Sequence, residues 1–202
     1  MIKHNVLYIH GFNSSPLSIK AEQARMYFAK HYPDVHFVCP QLANTPDGAI
    51  EQLEEIIESQ EHSQWYFIGS SLGGYFSHYL AVKYQIKAVL VNPAIKPYEL
   101  LNGYLGKQIN PYTDEVFYVT NAYVKALKSL EQTSPKQQSK EKNNYLVMVQ
   151  TGDEVLDYQQ AVDKFTHCRL VVQQGGDHSF IGFEKMLPDI ATFFSLRKHF
   201  YF

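Results

Sequence analysis

Residues 69–73 read Gly-Ser-Ser-Leu-Gly, where the apolar run "QWYFIG" gives way to Leu72, Phe76, Tyr79 and Leu80 at helical spacing. Only Ser71 has glycine at both −2 and +2, since Ser70 would need it at Ile68 and Leu72. A serine held at a sharp strand-to-helix turn has a strained backbone and a hydroxyl exposed above the sheet. Small neighbours let the helix approach the strand closely. The Leu72 N–H, opening that helix, then points where a developing oxyanion would sit. The bland alternative is a tight turn, and the partners of Ser71 decide between the two.

A serine hydroxyl is a poor nucleophile unless a base takes its proton, and the base needs an acid to fix its tautomer. Where a strand presents serine in this way, the acid and then the histidine follow in chain order, each in a loop after a strand. The sequence supplies "TGDEVLDY" after one strand-like run and "QGGDHSF" after the next, offering Asp153 and His178. Asp157 competes for the acid, but Gln160 stands three residues on, a capping-box spacing that explains Asp157 structurally. Asp153 lies nearer the strand end without such a role and is preferred. Asp177 reads as a turn residue. A second oxyanion donor is expected from "YIHGFNSSP", where Gly11 permits close approach and the Phe12 N–H would donate. His10 is out of order for a base and reads as structural. No histidine pair has metal-ligand spacing, so neither metal nor cofactor is implied.

These residues need a scaffold that carries them to one edge. Strand-like runs lie at 5–10, 35–39, 64–69, 86–91, 145–150 and 168–173, separated by helical stretches near 17–31, 48–60, 72–84, 158–165 and 181–196. Ser15-Pro16 and Thr45-Pro46 each resemble a capped helix start. Such alternation predicts an α/β fold, a mostly parallel sheet of about six strands with helices on both faces. The strand order 2-1-3-4-5-6 would bring Phe12 and Ser71 to one crevice. Residues 93–144 exceed any simple crossover, carry five tyrosines, and end in the polar "SPKQQSKEKNN". They are expected to form a small helical lid on one domain spanning 1–202.

Composition sets outer bounds. With 202 residues, 45% hydrophobic and 19% charged, the chain is globular and large enough for a real core. A formal charge of −2 gives no reason to expect nucleic acid as partner. No run of about 18 apolar residues suggests a membrane span. Aromatics reach 14%, with 15 Tyr and 13 Phe, including a terminal "RKHFYF" that reads as core packing. Cys39 and Cys168 are far apart and sit in apolar runs, as reduced thiols do. With an N-terminus that enters a strand directly, they point to the cytoplasm.

"HGFNSSP", "GSSLGGY", "NPA-KPYELL", "NPYT", "QTGDEVLDY" and "GGDHSFIGFE" together resemble the YqiA-like small bacterial esterases of the α/β-hydrolase superfamily, in the same order over nearly the whole chain. The resemblance implies a compact hydrolase lacking the first two strands of larger relatives. On matching positions it makes Ser71 nucleophile, His178 base and Asp153 acid, acting on a small-molecule acyl ester. An acyl-CoA thioesterase with the same triad is the alternative, and a non-catalytic small-ligand binder is a further one.

Overall fold

The structure, a computed structural model, describes residues 3–60 and 62–197. In chain order its elements are β1 (Lys3–Ile9), α1 (Ile19–His31), β2 (Val35–Val38), α2 (Pro46–Glu58), β3 (Ser63–Ser70), α3 (Leu72–Tyr84) and β4 (Ala88–Val91). Then come α4 (Pro97–Leu100), β5 (Gly106–Ile109), β6 (Val116–Val119), α5 (Asn121–Ser129), β7 (Tyr145–Gln150), α6 (Tyr158–Lys164), β8 (Arg169–Gln173) and α7 (Leu187–Phe193). Among the described residues, six strands form one parallel sheet in the order β2-β1-β3-β4-β7-β8, which is 2-1-3-4-5-6 in order along the chain.

The central strands are buried on both sides, so their sequences are continuously apolar rather than alternating. Period-two geometry still sorts their side chains. Leu7, Ile9, Trp65, Phe67, Leu90 and Val147 face a core shared with α2, α3, α5 and α6. Val6, Tyr8, Tyr66, Ile68, Val89 and Met148 face the other, shared with α1 and α7. Ile9 pairs with Gly69, Ser70 with Val91, and Gln150 with Gln173. This register brings the loops after β1, β3, β4, β7 and β8 to one edge of the sheet.

Three expectations need correction. Thr45 does cap α2, its Oγ1 accepting from the Gly48 N–H, but Ser15-Pro16 does not start α1. Ser15 Oγ instead accepts the Leu17 N–H at 2.9 Å, closing a turn, and the helix begins at Ile19. The predicted helix over 181–196 is a 3-10 turn, Phe183–Met186, followed by α7. The 93–144 segment is not purely helical, since β5 and β6 form an antiparallel hairpin within it. Asn110 builds its turn: Oδ1 accepts the Tyr112 N–H, and the backbone closes through Asp114 N–H to Asn110 O and Asn110 N–H to Glu115 O. Strands of four residues are too short for alternation to reveal. Of the aromatic run 197–202, residues 198–202 lie outside the described residues.

One core residue makes the fold acid-sensitive. His78 of α3 is 3% exposed, packed edge-on against Tyr145 and Phe165, and its Nε2 has no hydrogen-bond partner among the described residues. Burial, with a smaller push from Lys164, lowers its pKa to about 3. The unfolded chain protonates this residue near 6.5, so the stability that its neutral form contributes is full above that pH. It falls as pH drops from about 6.5 toward 3, at up to about 1.4 kcal/mol per unit. Urea denaturation at pH 7 and pH 5 should show a smaller loss of stability in His78→Phe than in the parent. An equal loss would show that His78 does not carry the effect.

Candidate active site

The turn between β3 and α3 is forced by close packing. A Cβ on Gly73 would overlap the Ile9 carbonyl, and one on Gly69 would overlap Ser77 Oγ and the Gly73 carbonyl. With those contacts closed, Ser71 takes φ 55 and ψ −120, a conformation that costs a residue with a side chain about 1–3 kcal/mol. Its own N–H donates to Val91 O at 3.1 Å, tying the turn to β4. Ser70, by contrast, is the last residue of β3, 6% exposed and beside the Tyr8 hydroxyl.

The structure brings Ser71, His178 and Asp153 together. His178 Nε2 lies 3.1 Å from Ser71 Oγ, and His178 Nδ1 lies 2.9 and 3.0 Å from the two Asp153 oxygens. The Asp153 side chain is 1% exposed and that of His178 24%. Burial pushes the Asp153 carboxyl up, but the His178 hydrogen bond and the N–H groups of Leu156 and Val155 outweigh it and hold it below its usual range. An ionised carboxylate only accepts, so Nδ1 carries the imidazole proton and the Nε2 lone pair faces Ser71. Asp157 is the N-cap of α6, accepting the Gln159 N–H at 2.9 Å. Asp177 accepts from Ser179 Oγ in the turn beside His178.

The loop after β1 sits against the serine. A Cβ on Gly11 would lie 3.2 Å from Ser71 Cβ. His10 is locked there: Nε2 accepts the Leu42 N–H at 3.1 Å, which leaves the ring proton on Nδ1 to donate to Gly11 O at 2.9 Å. Burial, partly opposed by the Gly11 bond, lowers the pKa of His10 and favours this neutral form. Because the peptide unit is planar, anchoring the Gly11 carbonyl also fixes the direction of the Phe12 N–H. Neither the Phe12 nor the Leu72 N–H donates to a protein acceptor among the described residues. The hairpin and the 3-10 turn before it, Leu101–Tyr104, cover this loop: Asn110 Nδ2 donates to Ser14 O at 3.0 Å, and the Phe12 ring meets Tyr104 and Phe117 edge-on.

A cavity of about 30 Å³ lies beside Gly11, Phe12, Leu72 and Phe117. A cleft of about 270 Å³ opens between Ile19, Lys20, Tyr112 and Ile181. Lys20 donates to Ser179 O at 2.7 Å; burial, opposed by Asp177 and Asp153, pushes its amine down to about 8. A roomier cleft of about 620 Å³, lined by Lys96, Glu131 and Lys164, contains none of Ser71, Asp153 and His178. Among the described residues, no group of three or more His, Cys, Asp or Glu is placed to hold a metal.

The sequence model described as "Uncharacterised protein family (UPF0227)" matches residues 5–195. The chain belongs to the UPF0227 family. A UPF0227 protein of Shewanella baltica is 23% identical over 194 residues, covering 93% of this chain and 98% of the relative. Mouse alpha/beta hydrolase domain-containing protein 10 matches in structure with a TM-score of 0.71 at 15% identity, covering 95% of this chain and 89% of its own. Est1E of Butyrivibrio proteoclasticus with ferulic acid bound gives 0.71 at 13% identity, covering 95% and 88%. These likenesses show the α/β-hydrolase fold. No helix among the described residues is long and apolar enough to cross a membrane.

Two residues at this edge escape sequence reasoning. Asn92 follows β4 and Gln150 ends β7, and both amides are buried and bonded to the loop that carries His178. Their signal in the sequence is faint: a polar residue closing an otherwise apolar strand.

Proposed function

We propose that this UPF0227 protein is a serine hydrolase of carboxylic esters, working as a single domain with a lid at 93–144. The observation that carries the reading is the unbroken hydrogen-bond chain from Ser71 Oγ through His178 to Asp153. His178 takes the proton of Ser71 as Oγ attacks the acyl carbonyl. The N–H groups of Leu72 and Phe12 stabilise the oxyanion, each contributing about 3 kcal/mol by analogy with measured cases. Collapse of the tetrahedral intermediate breaks the acyl–oxygen bond, and His178 protonates the departing alcohol. Water, deprotonated by His178, then attacks the acyl-enzyme and releases the carboxylic acid and Ser71. Asp153 orients His178 and stabilises its cation.

The bound ferulic acid of Est1E, a carboxylic acid of the kind ester cleavage releases, fits this reading. Unpaired Cys39 and Cys168 support a reducing, cytoplasmic setting.

A fluorophosphonate probe on the native protein, with peptide mapping, tests the proposal. One adduct on Ser71, absent after heat denaturation, is expected. Well-folded protein that takes no adduct would overturn the reading and favour a small-ligand binder. Comparing rates on matched oxyester and acyl-CoA substrates then tests the oxyester preference.

A further inference from the structure

His178 sits in a loop, yet its ring must span two partners at hydrogen-bond distance at once. Two buried amide side chains grip that loop from neighbouring strands. Asn92 follows β4, is 2% exposed, and takes φ 38. Its Nδ2 donates to the carbonyls of Asp177 at 3.0 Å and His178 at 3.2 Å, while its Oδ1 accepts the Gln150 N–H at 3.0 Å. Gln150 is 3% exposed. Its Oε1 accepts the N–H groups of Asp177 at 3.1 Å and Ile181 at 2.9 Å, and its Nε2 donates to Ile181 O and Gln173 Oε1, both at 2.8 Å. Backbone N–H groups only donate and carbonyls only accept, so these partners also fix which way each amide faces.

The backbone is therefore held on both sides of His178, at 177–178 and at 181. Gly176, at φ +73, lets the loop close on Gln150, since a Cβ there would overlap the Gln150 side chain. Core packing gives no reason for the amide at 150. The rest of β7 is "YLVMV", and an apolar side chain at 150 would continue it without the cost of burying an amide. Five of the seven bonds made by the two side chains go to residues 177–181.

We propose that Asn92 and Gln150 are positioning residues for the base, fixing the His178 backbone so that its ring reaches Ser71 and Asp153 together. The proposal rests on reading those three residues as a catalytic triad. Misplacing a reacting group by about 1 Å can cost about 100-fold in rate, and Ser71 Oγ is already 3.1 Å from Nε2.

Gln150→Met keeps length and burial and removes the side-chain hydrogen bonds. Asn92→Asp tolerates the same backbone and keeps the acceptor for the Gln150 N–H, but puts an oxygen opposite two carbonyls. The test measures kcat and KM for ester hydrolysis by the full chain, well below its unfolding temperature. It also follows the downfield proton resonance of His178 Nδ1–H, assigned by its loss in Asp153→Asn. Both variants should lower kcat about 10- to 100-fold with KM within about threefold, and broaden or abolish the resonance. Unchanged kcat and resonance in folded protein, with only the melting temperature lowered, would overturn the proposal. If the parent turns over no ester and takes no probe, the triad reading fails, and the resonance still decides positioning: its persistence in Gln150→Met overturns it and its loss upholds it. Should Gln150→Met not fold, Asn92→Asp carries the same readouts.

Discussion

Ser71→Ala is expected to lower kcat for ester hydrolysis by about 10⁵-fold or more, with little change in the melting temperature. The magnitude follows from serine hydrolases in which losing the nucleophile leaves only the contribution of oxyanion donors and substrate binding. Stability should hold because alanine keeps the Cβ that the strained backbone already carries at φ 55. Ser71→Gly should be as inactive but more stable, since glycine adopts positive φ readily. The relief of about 1–3 kcal/mol exceeds the roughly 0.5–1 kcal/mol that glycine costs through chain entropy. Ser70→Ala is the control. Ser70 is in the β3 ladder opposite Val91 and nearly inaccessible, so its loss should leave turnover within a few-fold. Steady-state kinetics and thermal melts on the three variants check this. Turnover that survives Ser71→Ala and vanishes in Ser70→Ala would remove Ser71 from the mechanism.

What the sequence reveals here depends on how local the cause is. Each of the six sheet strands is announced by its own apolar run, and the four inner ones, β1, β3, β4 and β7, consist mostly of buried side chains. The turn at Ser71 is legible because the glycines that allow it stand within two residues of it. The order of Ser71, Asp153 and His178 along the chain is legible because parallel strands return every loop to one edge. The hairpin of 106–119 is not, because four-residue strands have no period to show and Asn110 acts through a tertiary bond to Ser14. Asn92 and Gln150 are hidden for a related reason. Nothing near either in sequence calls for an amide, and the partners of their side chains lie 23 to 86 residues away. The start of α1 is missed on a competition between two local patterns: serine before proline can cap a helix or close a turn, and Ser15 closes the turn.

The two acidic candidates after β7 should separate cleanly in kinetics and in stability. Asp153→Asn is expected to lower kcat by about 10⁴-fold. The new side-chain amide would turn its NH₂ toward Nδ1, favouring the tautomer whose proton lies on Nε2, and a protonated Nε2 accepts nothing from Ser71. The variant also loses the anion that stabilises the cationic ring in the transition state. Asp157→Ala should leave kcat within a few-fold and cost about 1 kcal/mol, the usual value of a lost N-cap, because its carboxylate is spent on the Gln159 N–H. A pH series adds an independent sign. The Asp153 pKa is lowered in the folded protein, so the stability that its ionised form contributes is present above its ordinary value near 4 and is lost as pH falls through the lower folded value. The stability gap between the parent and Asp153→Asn should therefore narrow in acid, while the gap in rate at neutral pH stays large. Rates that fall in Asp157→Ala and hold in Asp153→Asn would exchange the two roles, against the 2.9 Å contact that joins Asp153 to His178.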